Sequence, residues 1–233
     1  MNTNSKVQLT QKAIKTKQRL YNYVTLDVET TGQDHTTNDI LSLYMAPVDF
    51  DGSSYKINSD LGCNLNLQPQ PTTEIEPAAL ECNGIVLEEH NKTAVTQLSG
   101  RDILRDYILN LRQHLGMEPS EKFVVVGWGT GFDTDYVSDL VGFGFFSENF
   151  HYSLFDVRTL SMVVIGDFME IDASAAVELQ ENVGLDPYSS KPMSLVQVAT
   201  MLGINTVGAH TPEQDCIMTI DVLNALTNTI SSN

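Results

Sequence analysis

The sequence predicts one α/β domain, in which a mixed sheet opens with an antiparallel meander and is flanked by helices. Three observations carry that expectation. From Tyr21 onward polar and apolar residues alternate with a period of two. A compact apolar run, Phe123 to Gly127, reads as a strand buried on both faces. Further stretches place apolar residues at helical spacing between the strands. At 233 residues the chain is long enough for a single large core. Its 42% hydrophobic content excludes a disordered, collagenous or coiled-coil chain.

In "YNYVTLDVET", Tyr23, Thr25, Asp27 and Glu29 share one face and Val24, Leu26 and Val28 the other, so the first strand is expected to lay its apolar side on a core. The turn-rich "ETTGQDHTTND" leads into a second strand, "ILSLYMAPVDF". The tight turn "DGSS" then leads into a third strand within Tyr55 to Leu67. Pro69, Pro71 and Pro77 break this pattern, and "PAALECNG" reads as a short helix begun by Pro77 and ended at Asn83-Gly84. Ile103, Leu104, Tyr107, Ile108, Leu111 and Leu115 mark an amphipathic helix with Ser99 as its cap. After the apolar strand a helix is expected from about Thr134, a strand near Tyr152 to Phe155 and a helix over Val157 to Phe168. Two more amphipathic helices read from "MSLVQVATMLG" and "TPEQDCIMTIDVLNALTNTI".

The chain carries 13 basic and 30 acidic side chains, a formal charge of −17. The charge is unevenly spread. Residues 1–20 hold Lys6, Lys12, Lys15, Lys17 and Arg19 and no acid, which sets them apart as a basic arm or tail from a single domain at 21–233. The body is strongly acidic and should hold a long nucleic-acid duplex poorly. Cys63, Cys82 and Cys216 have no metal or redox spacing and read as reduced, buried thiols. The N-terminus lacks a signal-peptide apolar core, and no apolar run is long enough to span a bilayer, so a soluble cytoplasmic protein with no membrane partner is expected.

Three stretches carry chemistry. Asp27 and Glu29 stand two apart on one strand face, so their carboxylates lie side by side; ionised together they either share a proton or hold a hard divalent cation. In "VVVGWGTGFDTDYVSDL" the strand runs into a Gly-rich turn, and Asp133 sits where the next helix begins, either capping it or serving a site, with Asp135 close enough to compete. Gly127, Gly129 and Gly131 do not make a dinucleotide loop, because the third glycine comes one residue early. In "GAHTPEQDC", Thr211 and Gln214 suggest a capping box with Pro212 at the first helical position. That puts Asp215 on the first turn, and leaves His210 on the preceding loop, free to take a proton.

In this order the three stretches resemble the motifs of the DEDDh family of 3′–5′ exonucleases, the DnaQ-like and RNase T-like group. "LDVETTG" is similar to its first motif, "GFDTDYV" to the second and "AHTPEQD" to the third. "EPAALECNGI" and "SLVQVATMLGI" are similar to its supporting segments, so the resemblance covers roughly residues 21 to 230. Trp128-Gly129 and Pro212 stand where the family often has other residues. The resemblance implies a ribonuclease H-like fold with a mixed five-stranded sheet. It implies Asp27, Glu29, Asp133 and Asp215 as ligands of two divalent cations, Mg²⁺ or Mn²⁺, and His210 as general base. Thr30, Thr31 and Gly32 fall where the family meets the 3′-terminal nucleotide, and Leu80, Asn83 and Ile85 where it meets the terminal bases. The implied activity is two-metal hydrolysis at the 3′ end of single-stranded DNA or RNA, releasing nucleoside 5′-monophosphates. A short-oligonucleotide ribonuclease and a catalytically silent nucleic-acid-binding module are the alternatives. With the chain ending soon after its last helix, a free-standing enzyme is expected ahead of a polymerase-bound one; a homodimer is the other partnership considered.

Overall fold

The computed structural model describes residues 21–168, 181 and 193–232; the expected basic arm at residues 1–20 lies outside the described residues. Strand β1 spans Asn22–Thr30 and β2 Ile40–Phe50, and they pair antiparallel. The expected third strand is two strands. β3 (Tyr55–Ile57) pairs with Val48–Phe50 of β2, and β4 (Cys63–Gln68) pairs with Ser42–Met45, with a 3₁₀ turn at Ser59–Leu61 between them. The reason lies in β2: Pro47 has no N–H to donate and stands between the two pairing stretches.

Helix α1 (Pro77–Asn83) starts on its proline and ends at Gly84, whose φ of 67° is the left-handed closure that glycine allows. A one-turn helix α2 (Leu87–His90) and the two-residue strand β5 (Val95–Thr96) follow. Helix α3 (Gln97–His114) is capped by Thr96, whose hydroxyl accepts the Ser99 amide, and not by Ser99 itself. Strand β6 (Phe123–Gly127) runs parallel to β1, and β7 (Phe155–Asp156) parallel to β6. Helices α4 (Gly131–Val141), α5 (Phe143–Asn149), α6 (Val157–Phe168), α7 (Leu195–Met201) and α8 (Pro212–Ser232) complete the described elements. α7 opens on a capping box, Ser194 with Gln197, and α4 begins three residues before Thr134.

The sheet order is β5-β4-β2-β1-β6-β7 with β3 beside β2. The expected five-stranded mixed sheet is β4-β2-β1-β6-β7, widened to seven by two short strands. Helices cover both faces. Val24, Leu26 and Val28 pack with Leu104, Ile108, Leu111 and Val137 of α3 and α4. On the other face Val126 packs with Val157, Val198, Met218 and Leu223 of α6, α7 and α8. The apolar side of β1 lies on a core as expected, and the other face is covered as well: Thr25 is fully buried and Tyr23 packs against the second cluster. All three cysteines are free thiols, but of the expected buried set only Cys216 is buried, Cys63 being half-buried and Cys82 exposed on α1. No helix among the described residues is long and apolar enough to cross a membrane.

Candidate active site

β6 pairs with β1 only as far as Thr25↔Val126, so beyond that point the edge of β1 facing β6 has no strand partner. Helix α4 fills the opening. Its first turn carries Asp133, 4% exposed, whose Oδ1 accepts the Val28 amide at 3.1 Å. Asp135, two residues on and so about 200° round the helix from Asp133, is exposed, so the structure brings Asp133 and not Asp135 to the strand with Asp27 and Glu29.

α8 crosses the polar face of β1. Its first turn brings Asp215 to the end of the strand, where ligand atoms of Glu29, His210 and Asp215 lie within 4.8 Å of one another. His210 stands before the helix with φ of 67°, the one non-glycine residue with positive φ among those described, and its amide donates to Asp215 Oδ1 at 3.2 Å. A histidine held in left-handed backbone costs about 1–3 kcal/mol and persists where the surroundings fix it. The Thr211 hydroxyl donates to the Gly208 carbonyl at 2.9 Å.

Electrostatics bind the four acids into one group. Burial and then the charges of Asp133, Asp215 and Glu29 hold the Asp27 carboxyl well above the usual range. Burial, then Asp215 and Asp133, push Glu29 up to about 8. Burial pushes Asp133 to about 8 against the Val28 hydrogen bond that favours its anion, and burial raises Asp215 against the pull of His210. Among the described residues no lysine or arginine pairs with any of the four. An all-oxygen set of mutually repelling carboxylates with no organic cation beside it suits hard divalent cations.

Thr30, Thr31 and Gly32 form a rigid lip on this cluster. The Gly32 carbonyl accepts the Thr30 hydroxyl at 2.5 Å and the Tyr136 hydroxyl at 2.8 Å. The Thr31 carbonyl accepts the Glu76 amide at 2.7 Å, and Glu76 Oε1 accepts the Gln33 amide at 3.0 Å. Asn83 donates to the Thr30 carbonyl at 3.2 Å and holds the Ile85 amide at 3.0 Å, which ties the exit of α1 to the same lip. Leu80 and Ile85 are half-buried on and after α1. Sequence reasoning missed Tyr136 and Glu76, which act through long-range hydrogen bonds. It also missed Asp156, whose Oδ1 accepts the Gly129 amide at 2.9 Å and whose charge reaches Asp133. An acid at the joint of an expected strand and helix was the available signal for Asp156.

No protein-family model matches the chain. Ribonuclease T from Blochmanniella pennsylvanica is 28% identical over 155 residues, covering 65% of this chain and 70% of that protein. Ribonuclease T from Haemophilus influenzae strain PittEE is 24% identical over 168 residues, 71% of this chain and 72% of that protein. Among solved structures, E. coli exonuclease I in complex with a dT13 oligonucleotide aligns with a TM-score of 0.65 at 13% identity, covering 91% of this chain. This chain spans 42% of that exonuclease I chain. Cell-death related nuclease 4 aligns with a TM-score of 0.53 at 16% identity, over 89% of this chain and 64% of that one. The fold is thus the ribonuclease H-like α/β architecture that exonuclease I also has. In sequence the chain is similar to these ribonucleases T at 24–28% identity over 65–71% of its length.

Proposed function

We propose that this chain hydrolyses the terminal phosphodiester at the 3′ end of single-stranded nucleic acid and releases nucleoside 5′-monophosphates. The convergence of Asp27, Glu29, Asp133 and Asp215 from three elements carries the reading: burial raises each carboxyl, and the neighbouring acids raise Asp27, Glu29 and Asp133 further. These four would hold two divalent cations, Mg²⁺ or Mn²⁺, which when bound supply Lewis acidity for the attacking water and the leaving oxygen. His210, exposed beside Glu29 and Asp215, takes the proton of the attacking water. The lip at Thr30, Thr31 and Gly32 seats the terminal nucleotide, and Leu80, Asn83 and Ile85 border its base. An acidic body favours a short single-stranded end over a duplex, since phosphate contacts come chiefly from basic side chains.

Relatives named ribonuclease T make RNA the first substrate to try, with DNA beside it. The test is digestion of 5′-labelled single-stranded RNA and DNA with Mg²⁺ and with EDTA. A ladder stepping one nucleotide at a time from the 3′ end is expected. Binding without cleavage in Mg²⁺ and Mn²⁺ would refute hydrolysis and favour the silent binding module.

A further inference from the structure

Four arginines lie among the described residues, and three of them are occupied. Arg101 pairs with Asp102. Arg105 donates to the Val141 carbonyl, and Arg112 to the carbonyls of Glu118, Pro119 and Glu121. The fourth, Arg158, is half-exposed, and its guanidinium has no hydrogen-bond or ion-pair partner among the described residues. In a body this rich in carboxylates, an arginine with no partner among the described residues stands apart.

Its position is well defined. Gly127 and Asp156 are register partners at the carboxyl ends of β6 and β7, the same edge of the sheet at which β1 presents Asp27 and Glu29. In parallel α/β sheets, ligands bind at that edge. Asp156 fastens the region together: Oδ1 accepts the amides of Gly129 and Arg158, at 2.9 and 3.0 Å, and Oδ2 the Thr159 hydroxyl. The guanidinium lies over the turn that leads to Asp133. A Cβ added at Gly129 would stand 3.2 Å from Arg158 Cζ and 3.3 Å from both terminal nitrogens, so the group presents its flat face to a backbone position that no side chain fills. Gly129 has φ of 70°, and its lack of a side chain leaves the guanidinium this seat.

We infer that Arg158 binds a backbone phosphate of the nucleic-acid strand. Because the proposed reaction removes the 3′-terminal nucleotide, every phosphate besides the one attacked lies to its 5′ side, and Arg158 takes one of these. A planar, permanently charged donor fork suits a phosphodiester's two free oxygens. Arg158 then offers the acidic site a cationic grip that does not neutralise the metal-binding carboxylates. The inference rests on the nuclease reading.

The test uses the full chain and its Arg158→Ala, Arg158→Lys and Gly129→Ala variants, with thermal melts as a check on folding. Binding of labelled single-stranded RNA and DNA is read by anisotropy in Ca²⁺ across a salt series, and cleavage separately in Mg²⁺. Arg158→Ala is expected to weaken binding and raise KM roughly tenfold, about 1.4 kcal/mol, with kcat within about twofold. It should also flatten the salt slope by about 0.7, the value of one phosphate contact on a single strand. Arg158→Lys should restore the slope and part of the affinity, and Gly129→Ala should weaken binding in the same direction. A neutral methylphosphonate walked along the 3′ end should weaken the wild type at one linkage at which Arg158→Ala is indifferent. An unchanged salt slope in a folded Arg158→Ala protein would overturn the inference. A wild type that binds strands without cleaving them would refute hydrolysis, while the binding arms still decide the role of Arg158.

Discussion

Asp133 Oδ1 accepts the amide of Val28 at 3.1 Å, so the third acid of the cluster is held by the strand that carries the first two. The bond uses a backbone donor that β6 leaves unpaired when its ladder with β1 stops at Thr25↔Val126. It fixes the carboxylate at Val28, the residue between Asp27 and Glu29. Asp133→Asn is accordingly expected to lose roughly 100-fold or more in turnover, the scale of removing a preorganised electrostatic group. Asp135→Asn, at an exposed position, should stay within about twofold. Steady-state rates on a single-stranded substrate decide it, and the opposite ranking would reassign the site.

His210 combines a reactive side chain with left-handed backbone, φ 67°. The two properties separate by mutation. His210→Ala should cut turnover by roughly 10²–10⁴-fold, the range of a general base, while divalent-cation binding measured by calorimetry is largely retained. His210→Gly should be equally inactive yet more stable by about 1 kcal/mol, because glycine adopts positive φ without strain. For a domain of this size that is roughly 2–4 °C in Tm. A Gly variant that melts no higher than the Ala variant would remove the strain argument.

Much of this arrangement is legible in the sequence, for local reasons. The alternation around Asp27 and Glu29, the Pro77 start and Gly84 stop of α1, and the Pro212 entry to α8 are rules of one strand or one helix end, so residues a few positions apart suffice to read them. What escapes depends on partners far away. Whether Asp133 or Asp135 joins the cluster turns on which side of α4 meets β1, 105 residues earlier in the chain. The burial of Thr25 on the polar face follows from α8 crossing it, and the division of the third strand from Pro47 in the neighbouring one. Asp156 and Arg158 matter through the β6–β7 register, which no local period encodes.

The pKa shifts give a signed pH dependence. Glu29 is raised from 4.5 to about 8 and Asp133 from 3.8 to about 8, so the folded, metal-free protein binds more protons than the unfolded chain across that window. Stability from these groups is present in full below the ordinary carboxylate range, and is lost as pH rises toward 8. The Tm of EDTA-treated protein should therefore fall between pH 5 and 8 by the measure of these acids, and Glu29→Gln should flatten that fall. Mg²⁺ binding displaces the same protons, so its stabilisation should be larger at pH 8 than at pH 6. Equal Mg²⁺-induced shifts at both values would detach the cations from these carboxylates.

Two glycines test whether the lip at Thr30–Gly32 acts on substrate or merely on the fold. A Cβ at Gly100 would meet Leu67 Cδ2 at 2.0 Å inside the core, whereas one at Gly32 would meet Glu76 Oε1 at 2.2 Å and Asn38 at 2.5 Å. Gly100→Ala is overpacking and should cost about 1–3 kcal/mol of stability with KM unchanged in the folded fraction. Gly32→Ala instead displaces Glu76, which holds the lip, and Asn38, which ties the adjoining Asp34 amide to the Glu74 carbonyl, and should raise KM several-fold. Glu76 separates the causes further. Glu76→Gln keeps an oxygen to accept the Gln33 amide and should behave as wild type, while Glu76→Ala frees the loop and should raise KM with kcat little changed. If Glu76→Ala lowered kcat and left KM alone, the lip would belong to the chemical step and not to seating the strand's end.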